Sequence, residues 1–162
     1  MISMSDNVEI FFLDDMEDEV MITEMNLRRQ NLQLNVKFYM DEGDMLSALE
    51  DRRQAPDSLP KLIVTDLNMP GRGGIGVVEN LRSDEHFRDV TIGICTGSDN
   101  PADHAAALAA GADFAAVKPF DRDTLALICE KTGRFQLVQN DDGKESLRQA
   151  ASPAQAGCHP AP

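Results

Sequence analysis

Three aspartates, one threonine and one lysine each close a short apolar run in this chain, and together they carry the parts of a phosphoryl-transfer site. Val8 to Leu13 ends at Asp14-Asp15, Leu62 to Thr65 at Asp66, Thr91 to Cys95 at Thr96, and Phe114 to Val117 at Lys118-Pro119. Carboxylates crowded into one crevice repel one another, which raises their pKa values unless a cation is present. Mg2+ resolves that repulsion, because it takes oxygen ligands in an octahedron and keeps several waters. A carboxylate can also attack phosphorus to give an aspartyl phosphate. An ammonium and a hydroxyl would then neutralise charge on the equatorial oxygens.

For these residues to meet, the runs must be neighbouring strands of an open parallel sheet, where ligands sit beyond the carboxyl ends of the strands. Strand-like runs do alternate with helix-length segments, the signature of repeated strand–helix units with helices on both faces. A first helix is expected from near Glu17 to Asn31, with Val20, Met21, Met25 and Leu32 along its inner side. Leu34 to Tyr39 alternates like a half-exposed edge strand, and Met45, Leu46 and Leu49 mark a helix from Glu42 to Gln54. Pro56 and Pro60 make a loop. Ile75, Val78 and Leu81 give the third helix its inner face. Asn100 reads as an N-cap before Pro101, and the alanine-rich helix to Ala110 stops at Gly111. Asp121 caps a last helix carrying Leu125, Ile128 and Cys129, which Gly133 ends. Beyond it, Phe135 to Gln139 reads as a short strand or arm, and Asn140 to Pro162 as a disordered tail with too little apolar surface to offset the entropy of ordering.

The bulk numbers fit one globular domain: 162 residues, 42% hydrophobic and 27% charged. A net charge of −13 disfavours nucleic acid and anionic lipid. No apolar stretch approaches the roughly 20 residues that span a bilayer, and Met1 to Asn7 lacks the features of a secretory signal. Cys95, Cys129 and Cys158 have no paired spacing and suit the reducing cytosol. Other features read as structural. Gly71, Gly73 and Gly76 match G-x-G-x-x-G formally, but after the third run and behind Met69-Pro70, so they read as a tight turn beside Asp66 rather than a nucleotide site. His86, His104 and His159 belong to no metal-ligand spacing, and the eight methionines form no stripe.

Four segments taken jointly, FFLDD at Phe11 to Asp15, VTDLNMPG at Val64 to Gly71, ICTGS at Ile94 to Ser98 and VKPF at Val117 to Phe120, resemble the receiver domain of bacterial two-component response regulators, the single-domain type in particular. The resemblance covers about Val8 to Gly133. It implies a flavodoxin-like α/β fold with a doubly wound, five-stranded parallel sheet in the order 2-1-3-4-5. It further implies that Asp66 accepts a phosphoryl group from a histidine kinase or phosphotransfer protein. Asp15 would hold Mg2+ directly, Asp14 partly through water, and the backbone carbonyl of Asn68 would complete the metal ligands with Asp66. Thr96 would bond the phosphoryl oxygen and Lys118 would pair with it, across a cis Lys118-Pro119 bond. Asn68 and Ser98 occupy positions that influence the lifetime of the acyl phosphate.

The family usually carries a tyrosine or phenylalanine three residues before the lysine; this chain has Ala115 there. Phe114 is one residue off, and strand alternation should send it to the other face. The expected division is a receiver over residues 1–133 and an extension over 134–162. The expected function is a stand-alone cytoplasmic regulator that catalyses only its own phosphorylation and slow hydrolysis, and signals to a downstream protein. The face of the fourth helix, fifth strand and fifth helix is the expected docking surface, a homodimer included. A phosphorylation-independent scaffold and a phosphate sink for another regulator are the alternatives. A turnover phosphatase is disfavoured, because Asn68 stands where such enzymes place a general acid.

Overall fold

The computed structural model describes residues 7–150, the side chain of Pro56 excepted. Residues 1–6 and 151–162, with Cys158 and His159, lie outside the described residues, as does the far part of the expected tail. Five strands form one parallel sheet: β1 (Glu9–Leu13), β2 (Asn35–Tyr39), β3 (Leu62–Thr65), β4 (Thr91–Thr96) and β5 (Phe114–Val117), in the order β2-β1-β3-β4-β5. The helices between them are α1 (Glu17–Arg29), α2 (Glu42–Asp51), α3 (Gly73–Arg82), α4 (Pro101–Ala109) and α5 (Arg122–Thr132), with short 3-10 turns at Pro56–Ser58 and Glu85–Phe87. This is the strand order and the helix arrangement that the sequence implied. Among the described residues no helix is long and apolar enough to cross a membrane.

Alternation along the strands sorts the core into two layers. Phe11, Leu13, Ile63, Ile92, Ile94 and Ala115 face α2, α3 and α4, whereas Ile10, Phe12, Leu62, Val64, Cys95, Phe114 and Ala116 face α1 and α5. Register aligns the carboxyl ends, pairing Leu13 with Thr65, Thr65 with Ile94, and Ile94 with Ala115. The residues that follow each strand therefore emerge along one rim. Asn100 and Asp121 cap their helices as expected, their side chains accepting from backbone N–H groups, and Gly133 closes α5 in the left-handed conformation; Asp41 caps α2 in the same way.

Two helix faces differ from expectation. The inner side of α1 is Val20, Thr23 and Leu27, while Met21 and Met25 are 55% and 48% exposed. The true stripe runs at i, i+3, i+7 through a threonine, so hydropathy alone favoured Met21 and Met25, which lie about 100–140° round the helix from Val20. On α3, Val77 is fully buried and Ile75 only partly so.

The carboxyl-terminal segment departs further. Asn140 onward was expected to be disordered, yet β6 (Phe135–Gln139) and β7 (Glu145–Gln149) form an antiparallel hairpin. Phe135 and Leu147 are buried in the layer that faces α1 and α5. The N–H of Val8 donates to the Leu147 carbonyl at 2.9 Å, that of Gln33 to the Glu145 carbonyl at 2.7 Å, and that of Glu145 to the Asn31 carbonyl at 2.9 Å. Arg122 grips the Glu145 carboxylate with two bonds of 2.5 and 3.0 Å. One apolar anchor, main-chain pairing and an ion pair order a stretch whose composition is polar. Leu147→Ala is expected to lower stability by about 2–5 kcal/mol, read as a shift in the urea midpoint. A loss below about 1 kcal/mol would mean that the hairpin is not part of the core.

Candidate functional site

Asp14 follows β1 and is 1% exposed, although it is a carboxylate. Its Oδ1 accepts from the Met16 N–H at 3.0 Å, and its Oδ2 from the Lys118 ammonium at 3.1 Å. Asp66 follows β3, also buried; its backbone N–H donates to the Leu13 carbonyl at 2.9 Å, tying the ends of β1 and β3 together. Lys118 Nζ lies 3.2 Å from Asp66 Oδ2. The Asn68 N–H reaches back toward Asp66 Oδ1 at 3.4 Å, a long contact. Asp14, Asp15 and Asp66 each offer an oxygen within 4.8 Å of the other two.

Lys118 is brought in by β5. Its backbone N–H donates to the Thr96 carbonyl at 2.7 Å, and the Lys118-Pro119 bond is cis, as the resemblance implied. Thr96 ends β4, buried, with its hydroxyl accepting from the Ser98 N–H at 3.2 Å. Ser98 in turn donates to Asp103 at 2.6 Å, and the His104 Nε2 bonds the Ser98 carbonyl at 2.9 Å, which moors the β4–α4 loop to the helix. The structure thus gathers Asp14, Asp15, Asp66 and Lys118 into one cup, with Thr96 joined to Lys118 through the backbone and Asn68 tied to Asp66 through its N–H.

Glu19 was not anticipated. It comes from the first turn of α1 and pairs with the Lys118 ammonium. Ninety-nine positions separate the two residues in the chain, and nothing local in an acidic helix start marks one glutamate from its neighbours. The glycine turn also has a closer role than spacing suggested. A Cβ on Gly74 would sit 2.2 Å from the Asp66 carbonyl oxygen, and one on Gly73 would sit 2.7 Å from that of Leu67. Ala115 lies in the layer facing α2, α3 and α4, and Phe114 in the opposite layer, as alternation required.

Burial pushes the Asp14 carboxyl up to about 6, against the Met16 N–H and Lys118, which favour its charged form; the neighbouring charge of Asp66 adds to the rise. Burial works to lower the Lys118 pKa, but the carboxylates of Glu19 and Asp14 outweigh it and hold the ammonium above its ordinary value. The same hydrogen bond to Lys118 holds Glu19 below the usual carboxylate range. One ammonium therefore faces three carboxylates, those of Asp14, Asp66 and Glu19. Asp15 Oδ1 is buried without a hydrogen-bond partner, and the donor set is all oxygen, without a sulfur or imidazole ligand among the described residues. These features fit a hard divalent cation such as Mg2+.

Metal binding requires the deprotonated carboxylate. Mg2+ affinity, measured by titration calorimetry, is expected to weaken as pH falls through about 6, approaching about tenfold per pH unit below it. The sign for folding is opposite. Without metal, a carboxyl whose pKa is raised in the folded state adds stability below its unfolded pKa, and that contribution is lost as pH rises through about 6. An Mg2+ affinity flat between pH 5 and 8 would remove Asp14 from the ligand set.

A family model described as response regulator receiver domain matches residues 10–130. The response regulator protein PmrA of Pseudomonas aeruginosa is 35% identical over 111 residues, covering 62% of this chain and 49% of that protein. Response regulator Rre1 of Synechocystis is 28% identical over 116 residues, 68% of this chain and 50% of its own length. The chain thus spans about half the length of these two relatives. Among solved structures, the bacteriophytochrome response regulator AtBRR superposes with a TM-score of 0.70 at 20% identity, over 83% of this chain and 99% of that one. The chemotaxis response regulator CheY4 of Vibrio cholerae does so with a TM-score of 0.61 at 22% identity, over 77% and 98%.

Proposed function

This chain belongs to the response regulator receiver domain family, and on that premise we propose that Asp66 is its phosphoacceptor. The donor would be a phosphohistidine on a histidine kinase or phosphotransfer protein. The observation that carries the reading is the placement of the buried Asp66 carboxylate, 3.2 Å from the Lys118 ammonium and within the trio of cation-binding oxygens. An Asp66 oxygen attacks phosphorus, the bond from phosphorus to the histidine nitrogen breaks, and the imidazole leaves. Lys118 and the Thr96 hydroxyl neutralise the phosphoryl oxygens, stabilising charge where it develops. Asp14, Asp15, Asp66 and the backbone carbonyl of Asn68 would hold Mg2+. Bound there, the ion would offset the mutual repulsion of the carboxylates and of the incoming phosphoryl group.

Hydrolysis of the acyl phosphate would return the resting state, so the chemistry serves the chain's own modification rather than a separate turnover. The output we propose is a phosphorylation-dependent contact with a downstream protein. The test is incubation with acetyl phosphate and Mg2+ followed by intact mass. One phosphoryl adduct is expected, and none when Mg2+ is chelated. A parent chain that takes up no phosphoryl group under these conditions defeats the reading.

One observation favours a second reading, a scaffold whose binding ignores phosphorylation. The strand position three residues before Lys118 is Ala115, so no aromatic ring at that position follows the Thr96 hydroxyl. Partner affinity measured with and without the adduct separates the two, because a scaffold binds both forms equally.

A further inference from the structure

Three carboxylates from three different elements converge on the Lys118 ammonium: Asp14 at 3.1 Å, Asp66 at 3.2 Å and Glu19. Two of these belong to the cation-binding trio, and Glu19 does not. Its side chain is 41% exposed against 20% for Lys118, so Glu19 meets the ammonium from the solvent side, at the mouth of the cup. An ammonium has three donors and no acceptor. In the resting chain the ammonium donates to Asp14 and Glu19 and is paired with Asp66 at 3.2 Å, so a phosphoryl oxygen on Asp66 has to compete with the carboxylates already around it. Asp14 is buried and fixed by the Met16 N–H, and Asp66 is itself the group modified. Glu19 is the partner able to withdraw, since it is part-exposed on the first turn of a helix.

We propose that Glu19 is a positioning residue that competes with the phosphoryl group for Lys118, holding the ammonium at the mouth of the resting pocket and releasing it once Asp66 is modified. This rests on the phosphoacceptor reading above. Two effects then act in the same direction. Removing the Glu19 charge frees Lys118 for the phosphoryl oxygens, and it also removes a negative charge from the path of an anionic donor. The second effect belongs to any acidic residue of the first turn, and the first belongs to Glu19 alone. Glu17 is an exposed acid of the same turn and supplies the control.

The rate of phosphorylation by acetyl phosphate with Mg2+, read by intact mass, is expected to rise about three- to tenfold in Glu19→Gln. The rise should stay within about twofold in Glu17→Gln, where only the through-space charge changes. In a Lys118→Gln background, Glu19→Gln should likewise have less than a twofold effect, because the competed group is gone. In metal-free protein the nitrogen resonance of the Lys118 ammonium is expected to move in Glu19→Gln and stay in place in Glu17→Gln. An unchanged or slower rate in Glu19→Gln, or an equal rise in Glu17→Gln or in the Lys118→Gln background, overturns the proposal while leaving the phosphoacceptor reading intact. A parent chain that accepts no phosphoryl group defeats both.

Discussion

Asp66→Asn is expected to gain no phosphoryl mass under conditions in which the parent chain gains one. The amide has the size of the carboxylate, and its oxygen can still accept from the Asn68 N–H and from Lys118, the two groups that approach Asp66 at 3.4 and 3.2 Å. It lacks the nucleophilic oxygen, so attack on phosphorus stops while the fold is kept. The substitution also removes one of the three carboxylates placed to hold a cation, and Mg2+ affinity should fall in the same variant. Circular dichroism matching the parent excludes unfolding as the cause. An undiminished adduct would move the chemistry to Asp14 or Asp15 and sink the assignment of Asp66.

The second large effect is expected from a residue without a side chain. A Cβ at position 74 meets the Asp66 carbonyl oxygen at 2.2 Å and the Asp66 carbonyl carbon at 3.0 Å. Both obstacles are backbone, so no rotamer can relieve the clash; either α3 backs away from the end of β3 or Asp66 is displaced. Gly74→Ala is expected to cost about 1–3 kcal/mol of stability and to slow phosphorylation by about a hundredfold, since small misplacements of a reacting group carry that scale of effect. Gly71 makes the comparison. It has a positive φ of 76° but open space around a Cβ, so Gly71→Ala should cost only backbone strain, about 1 kcal/mol. Equal losses in the two variants would show that conformation, not close approach, decides both.

The sheet was legible because its central strands are buried on both faces and their sequences are short apolar runs, each ended by a polar residue. IFFL, LIVT and TIGIC leave little room for another reading. The cup was legible because the family resemblance placed Asp14, Asp15, Asp66, Thr96 and Lys118 in order. Other features were not. The α1 stripe runs through Thr23, which is buried although its hydroxyl makes it read as polar. The β7 strand, ESLRQ, has a single large apolar residue, and its order depends on pairing with β6 and with Val8. Glu19 meets Lys118 only because the fold brings the first turn of α1 and the residue after β5 to the same rim. Each failure lies where tertiary pairing, rather than local pattern, supplies the stabilising contact.

Phe114 and Gly93 are partners in the register of β5 against β4, and a Cβ on Gly93 would fall 2.2 Å from the Phe114 ring. The ring thus fills volume that any other residue at 93 would claim, while Ala115 keeps the opposite side of the same strand small. Moving the aromatic from 114 to 115 in one step would hollow one layer and overfill the other. Positions 93, 114 and 115 are consequently expected to tolerate exchange only as a matched set. A chimera that borrows β5 from a relative with its ring on the other side has to borrow β4 as well.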